Sequence, residues 1–387
     1  MNSQKSEGAR ITKENNFPDS WQEVKLGDKI YFEITMGQSP PGDTYNTEKK
    51  GVPFFQGKAE FGKKYPSVKK WTTKPSKFSK SGDILMSVRA PVGSVNMSNI
   101  NCCIGRGLAS IRGNNYVEKD FIYYFLKLNE IKIEKLGSGS TFKAITSKQL
   151  LSIKIPLPFL NNKPDLKEQE RIVKILEKAE KVKERGKKAE ELLDEYLKSV
   201  FNDMFYDRGF EEVSLGKEEL YEEVFAGGDV QKVNFSKTKN EKFKFPIFTN
   251  GEKNKGLYGY TDKPRVIKPS ITISARGTIG YSELREGGFY PAIRLIVLTP
   301  KKNTLNLHFL KYNISTIYFK LDGTSIPQLT IPMIKRYKMP LPPLLLQQKF
   351  SKIVEQVERM KENVKKTRCN SEELFNSLMQ KAFRGEL

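Results

Sequence analysis

Apolar residues along the 387-residue chain fall into two alternating patterns. Short β-branched runs such as Ile84-Leu-Met-Ser-Val88, Leu108-Ala-Ser-Ile111 and Ser152-Ile-Lys-Ile155 predict strands. Turn signals punctuate them at Gln38-Ser-Pro-Pro-Gly42 and Lys80-Ser-Gly-Asp83. Between Asp120 and Leu128 the period becomes helical, because Phe121, Tyr124, Phe125 and Leu128 recur at i, i+3, i+4 and i+7. A second strand-rich stretch follows later, with its own helix at His308 to Tyr318. Each stretch leads into a long charged segment of helical character, from about Asp165 to Phe205 and from about Leu345 to Phe383. In the first segment Ile172, Ala179, Gly186, Leu193 and Val200 lie seven apart, with Ile175, Val182, Ala189 and Tyr196 as companions. In the second, Phe350, Val357 and Val364 pair with Ile353 and Met360. Both read as coiled-coil seams. The expected class is α+β: two similar globular domains joined by two long antiparallel coiled-coil helices.

The two halves also share words. Leu85-Met-Ser-Val-Arg-Ala-Pro-Val-Gly-Ser94 and Thr272-Ile-Ser-Ala-Arg-Gly-Thr-Ile-Gly-Tyr281 both contain Ser-x-Arg-x-x-(Val/Ile)-Gly. Upstream, Trp21-Gln-Glu-Val-Lys-Leu-Gly27 matches Phe210-Glu-Glu-Val-Ser-Leu-Gly216, and Pro53-Phe-Phe-Gln matches Pro246-Ile-Phe-Thr. Downstream, Gly139-Ser-Thr-Phe-Lys-Ala-Ile-Thr146 matches Gly323-Thr-Ser-Ile-Pro-Gln-Leu-Thr330, and Ile155-Pro-Leu-Pro158 matches Met339-Pro-Leu-Pro342. The order is preserved, so the chain is an internal duplication with pseudo-twofold character. Its period is too long for a solenoid.

Charge narrows the partner. Lys and Arg number 67 against 45 Asp and Glu, a formal net charge of +22. That excess favours a polyanion, with double-stranded DNA the first candidate. A membrane is not expected, since no run approaches the roughly 18–20 apolar residues of a span. Residues 1–17 are polar, lack an apolar signal core and read as a disordered tail, so a cytoplasmic protein is expected. Cys102, Cys103 and Cys369 make neither a disulfide framework nor a metal set. His308 is the sole histidine, which disfavours zinc and histidine acid–base chemistry. No phosphate-loop motif is present, nor the Asn/Asp-Pro-Pro-aromatic tetrapeptide with which amino-methyltransferases hold a flipped base. Acidic residues lie mostly in the helices, interleaved with lysine, rather than in a Mg²⁺-holding cluster. The chain reads as a binder with no catalytic, metal or cofactor site of its own.

Basic and aromatic residues interleave in the loops, as phosphate neutralisation and base readout require. Candidates for DNA contact in the first half are Lys58, Lys63, Lys64, Lys69, Lys70, Ser87, Arg89, Arg106, Thr141 and Lys143. In the second half they are Lys253, Lys255, Tyr258, Ser274, Arg276, Thr324 and Gln328. The repeated arginine, Arg89 or Arg276, can fork onto a phosphate or a guanine edge, or it can brace a strand end; both readings stand. Duplication favours a shared scaffold role for it, and makes the divergent loops the better specificity candidates. Gly137-Ser-Gly-Ser-Thr141 and Asp322-Gly-Thr-Ser325 can offer backbone amides to a phosphate. Residues 169 to 205, if helical, span roughly 55 Å, about 16 base pairs of duplex.

These residues together resemble the specificity subunit of type I restriction–modification systems over essentially the whole chain. The resemblance is carried by the Trp21-x-x-Val-x-Leu-Gly27 opening, Gly82-x-Ile-Leu-x-Ser-x-Arg89 and Gly323-Thr-Ser-x-Pro-Gln-Leu329. Ile-Pro-Leu-Pro before Glu168-Gln169-Glu170-Arg171-Ile172, Pro340-Leu-Pro-Pro-Leu344 before Gln347-Gln348, and the ending Ser377-Leu-Met-Gln-Lys-Ala-Phe-Arg-Gly-Glu-Leu387 add to it. In the second half Pro269-Ser270 stands where the first has Gly-Asp. The resemblance implies target recognition domains at 18–160 and 210–343, each reading half of a bipartite site. It implies conserved spacer helices at 165–205 and 344–387, which recruit two methyltransferase subunits and then restriction/translocase subunits. S-adenosylmethionine, ATP and Mg²⁺ are expected on those partners. The alternative kept open is an orphan or scaffold coiled-coil protein that binds DNA without sequence-specific restriction.

Overall fold

The computed structural model describes residues 17–137, 143–229, 235–320 and 327–387. The chain divides into two compact units: the first runs to Lys187 and adds Thr367–Leu387, the second is Lys188–Lys366. The expected tail falls outside the described residues, apart from Phe17, which packs on the first unit's core.

The first unit holds a four-stranded antiparallel sheet in the order Phe32–Met36, Leu108–Gly113, Ile84–Ser87, Val95–Met97. Ile84, Leu85 and Met86 are fully buried, which fits a continuous apolar run rather than an alternating one. A second sheet of five short strands includes Val52–Phe55 beside Cys102–Ile104 in parallel, with Phe55 opposite Ile104. Trp21–Lys25 pairs with Lys154–Leu160, so the strand expected at 152–155 begins later and runs through Pro-Leu-Pro. Residues 147–151 before it are a helix, capped by Thr146 and Gln149. The helix Lys119–Leu128 starts on Glu118, whose carboxylate accepts from the Phe121 amide.

The second unit repeats this plan: Tyr221–Ala226, Ile296–Pro300, Ser270–Ile273, Ser282–Arg285 form a sheet of the same order. Phe245–Phe248 lies parallel to Tyr290–Pro291, and the helix Leu307–Thr316 starts on Asn306. Register makes the equivalence residue by residue. Met86 opposes Ala109 as Ile273 opposes Ile296, and the Gly105 amide donates to Phe55 as the Ala292 amide donates to Phe248.

The long helices are Leu166–Phe201, closed by a π turn at Asn202–Tyr206, and Leu344–Ala382. In the first unit, Lys183 lies 5.4 Å over the Phe375 ring and Gly186 faces Arg368. In the second, Phe201 and Phe350 meet at 5.3 Å and Lys361 reaches Asp194 at 2.6 Å. Pairing is antiparallel in each. The seam corrects the expectation in one respect. Ile172, Ala179, Gly186, Leu193 and Val200 do face inward, as do Phe350, Val357 and Val364. The companions lie one residue later than read: Leu176, Lys183, Glu190 and Leu197, and Val354 and Lys361. Val182 is 48% exposed, Tyr196 51% and Met360 43%, whereas Ile175, Ala189 and Ile353 are half-buried like Lys183, Glu190 and Lys361, and Ile353 packs on the second unit's core, so at those turns both positions border the seam. The 4–3 spacing was hidden because the inward middle positions carry charged heads on long apolar stems.

Each helix begins with a buried glutamine that grips its own domain. Gln169 accepts from the Glu118 amide at 2.9 Å and donates to the Tyr116 carbonyl at 3.2 Å. Gln347 accepts from the Asn306 amide at 2.8 Å and donates to the Pro342 carbonyl at 2.9 Å.

Candidate nucleic-acid interface

In each unit the strand carrying Ser-x-Arg ends where three loops meet it. The Gly93 amide donates to the Ser87 carbonyl at 2.9 Å, and the Gly280 amide to Ser274 at 2.9 Å. Both glycines adopt positive φ, +91° and +85°, and a Cβ there would stand 2.7 Å from the Glu130 carbonyl or the Phe319 ring. These glycines turn the chain back sharply, and that leaves the arginine at the rim. From the other side the Ile145 amide donates to Val88, and Leu329 to Ala275, each at 2.9 Å. Two more glycines let a loop approach: a Cβ on Gly37 would lie 2.1 Å from the Gly105 carbonyl, and one on Gly227 2.5 Å from the Pro291 carbonyl. The arrangement is one scaffold used twice.

In the first unit this scaffold makes a concave pocket of about 200 Å³, lined by Ser39, Gln56, Lys58, Ser87, Arg89 and Arg106 with small neighbours, none of them acidic. Four separate stretches of the sequence reading converge there. Lys58, Arg89 and Arg106 are exposed cations; Glu130 touches Lys58 at 3.7 Å. Lys143, also exposed, precedes Ala144, which bridges to Arg89. Ser87 is buried and its hydroxyl donates to the Arg89 carbonyl at 2.8 Å, so it shapes the arginine's backbone rather than meeting a ligand.

The second unit differs in detail. The Arg276 guanidinium donates twice to Gln328 Oε1, at 3.0 and 2.6 Å, which fixes the fork and leaves its far edge outward. Ser274 is buried and accepts from the Gly251 amide at 2.9 Å. Asn250 accepts from the Ala275 amide at 2.7 Å, where the first unit uses the Gly107 carbonyl to take the Val88 amide. By register Ile293 occupies the place of Arg106, and Arg294 stands one residue on, in the place of Gly107. Ile293 and Arg294 both have positive φ, 53° and 60°, which re-aims the side chains. Arg294 is exposed and was not among the sequence candidates; its signal was the arginine just before the strand at 296.

Other candidates scatter. Lys64 pairs with Asp120 at 2.8 Å and is half-buried. Burial opposes its charge, but the bond to Asp120 outweighs this and raises its pKa above the ordinary lysine value. Lys64 is therefore a structural cation, braced also by the Tyr123 ring at 5.7 Å. Lys63 pairs with Glu184 of the long helix. Lys69 donates to the Ala59 carbonyl at 3.1 Å, and Lys70 is exposed with its backbone carbonyl bound to Phe54. Lys253 is exposed on a loop tip; Lys255 lies 3.9 Å from Glu283. Tyr258 stacks on Phe235 with centroids 5.1 Å apart, and Lys237 sits 4.1 Å over the Tyr258 ring. Thr141 and Thr324, with most of the two Gly/Ser-rich turns, lie outside the described residues. Among the described residues no group of His, Cys, Asp and Glu could hold a metal ion, and no helix is long and apolar enough to cross a membrane.

Comparison with known proteins adds four findings. A family model described as the type I restriction modification DNA specificity domain matches residues 18–192 and 222–371. A putative type I restriction enzyme specificity subunit of Methanocaldococcus jannaschii is 48% identical over 186 residues, 48% of this chain and 42% of that protein. A putative type I specificity subunit of Mycoplasma pneumoniae is 36% identical over 137 residues, 35% of this chain and 40% of that one. The chain thus matches about two fifths of these relatives' length. The crystal structure of a type I restriction-modification S subunit from M. genitalium shares the fold over 97% of this chain and 98% of its own, with TM-score 0.60 at 20% identity.

Proposed function

The chain belongs to the type I restriction modification DNA specificity domain family, and on that premise we propose that it is the non-catalytic specificity subunit of a type I restriction–modification enzyme. Each unit reads one half of a bipartite double-stranded DNA site. The long helices set the gap and dock two methyltransferase subunits, which bring S-adenosylmethionine and methylate adenine. Restriction/translocase subunits, with ATP and Mg²⁺, join to cut unmodified DNA. The carrying observation is the scaffold built twice, with a cation at its rim in each unit and three in the first unit's pocket. Cations on a rim meet phosphates, and the polar neighbours that differ between units supply the readout. The cytoplasm, where the DNA lies, is the proposed location.

The test is co-expression with a methyltransferase subunit of the same genome, followed by mapping of methylated adenines. The expected result is a split motif, two short blocks around a fixed gap. Association without methylation would leave the helices as a docking site and remove the reading role. Neither association nor methylation would favour the orphan or scaffold protein, whose DNA binding would show only a salt-dependent phosphate component.

A further inference from the structure

The two units share one polar side chain at the same place on the rim, and its surroundings diverge. Arg89 and Arg276 leave equivalent strand ends, held by the same pair of backbone bonds. Around them Gln56-Gly-Lys58 in the first unit corresponds to Thr249-Asn-Gly251 in the second, and Arg106-Gly107 to Ile293-Arg294. A half-site is defined by what differs from the other half. A contact kept identical in both units therefore carries no information that distinguishes them. What every half-site has in common is the sugar-phosphate backbone.

We infer that Arg89 and Arg276 are paired phosphate clamps that set each unit on the DNA backbone, and that base discrimination belongs to the unlike neighbours, led by Gln56, Lys58 and Arg106 in the first unit and Arg294 in the second. The inference rests on the DNA-reading role proposed above. Local geometry supports it. Ser87 holds the backbone carbonyl of Arg89 at 2.8 Å, so that side chain leaves a fixed backbone, and Gln328 holds the guanidinium of Arg276 itself. A fixed fork suits the one element whose position recurs along any duplex. The second unit's other rim arginine, Arg294, stands one residue past the place of Arg106, and the positive φ at Ile293 and Arg294 re-aims it.

The experiment uses the full chain and two fluorescein-labelled duplexes. One carries the mapped bipartite motif; the other has both halves scrambled. Anisotropy titrations over a range of salt concentrations are run for the wild type, Arg89→Gln, Arg89→Lys, Arg276→Gln and Arg276→Lys. Each Gln variant is expected to weaken both duplexes by the same factor and to lower the slope of log K against log[salt] by about 0.9, one phosphate contact. Each Lys variant is expected to restore most of that slope, since an ammonium meets a phosphate as a point charge but cannot fork onto a guanine. A single methylphosphonate that weakens the wild type should leave the matching Gln variant unaffected. Loss confined to the target duplex, with relaxed preference at one base pair and no rescue by Lys, would overturn the clamp in favour of a base reader. An unchanged slope would overturn it in favour of a structural arginine. A wild type without preference between the duplexes refutes the DNA-reading role instead, while the slope still decides whether the arginines meet phosphates.

Discussion

Replacing Gln169 by Ala should loosen the first unit and leave the second alone. The Gln169 side chain is fully buried and makes two bonds, from the Glu118 amide at 2.9 Å and to the Tyr116 carbonyl at 3.2 Å. Truncation leaves a part-buried N–H and C=O without their partner at the segment leading into the helix Lys119–Leu128. An orphaned donor costs about 1–3 kcal/mol and the weaker bond about 1 more, so a loss of roughly 2–4 kcal/mol is expected. For a unit of this size that lowers the melting point by roughly 4–16 °C. The assay is tryptophan fluorescence during thermal unfolding, because the chain's two tryptophans, Trp21 and Trp71, both lie in the first unit. Q347A removes the equivalent grip in the second unit and should leave the tryptophan-detected transition within a degree or two of the wild type. Equal shifts from Q169A and Q347A, or none from Q169A, would refute the idea of two local clamps. The Q169E variant keeps the shape and the acceptor but cannot donate to Tyr116 until protonated. Its deficit should shrink as the pH falls.

Further outcomes follow from particular contacts. Deleting two turns from each helix together, Lys183–Ala189 with Val364–Asn370, should shorten the gap in the methylated motif by about three base pairs and keep both blocks; an unchanged gap sinks the spacing role. Exchanging residues 20–158 for those of another family member should change one block of the motif only, and a change in both would show that the units do not read independently. Glu180 accepts from Lys127 at 2.9 Å and Tyr124 at 2.8 Å; although burial disfavours its charge, the Lys127 bond outweighs this and holds its pKa below the ordinary glutamate value of 4.5. A carboxylate with a lowered folded pKa stabilises above the unfolded value and loses that contribution as pH falls through the folded one. The tryptophan-detected midpoint should therefore fall more between pH 7 and pH 3 in the wild type than in E180Q, and parallel curves would count against it. Gly93→Ala, with φ +91° and a Cβ 2.7 Å from the Glu130 carbonyl, should cost about 1–3 kcal/mol in the same assay.

Local spelling determined a good deal of this protein. The duplication, the strand before each Ser-x-Arg, the short helix in each unit and the inward positions from Ile172 to Val200 follow from periodicity and turn chemistry, which neighbouring residues write directly. Gln169 and Gln347 stood among the residues that carry the family resemblance, yet their function as grips on Tyr116 and Glu118, or Asn306 and Pro342, needed the fold. Three matters were decided only by tertiary structure. Two companion positions of the seam fell on Lys183 and Lys361 rather than on Val182 and Met360, because a facing helix accepts apolar stems that no hydropathy pattern credits. Lys64 looked like its neighbours in a basic loop and proved to be paired with Asp120, fifty-odd residues away. Lys58, Arg89 and Arg106 are far apart in sequence and share one pocket, while Arg294 is turned out of register by a left-handed step. A charge's role depends on what lies across from it, and which residue lies across is set by chain closure over long separations, not by the letters on either side.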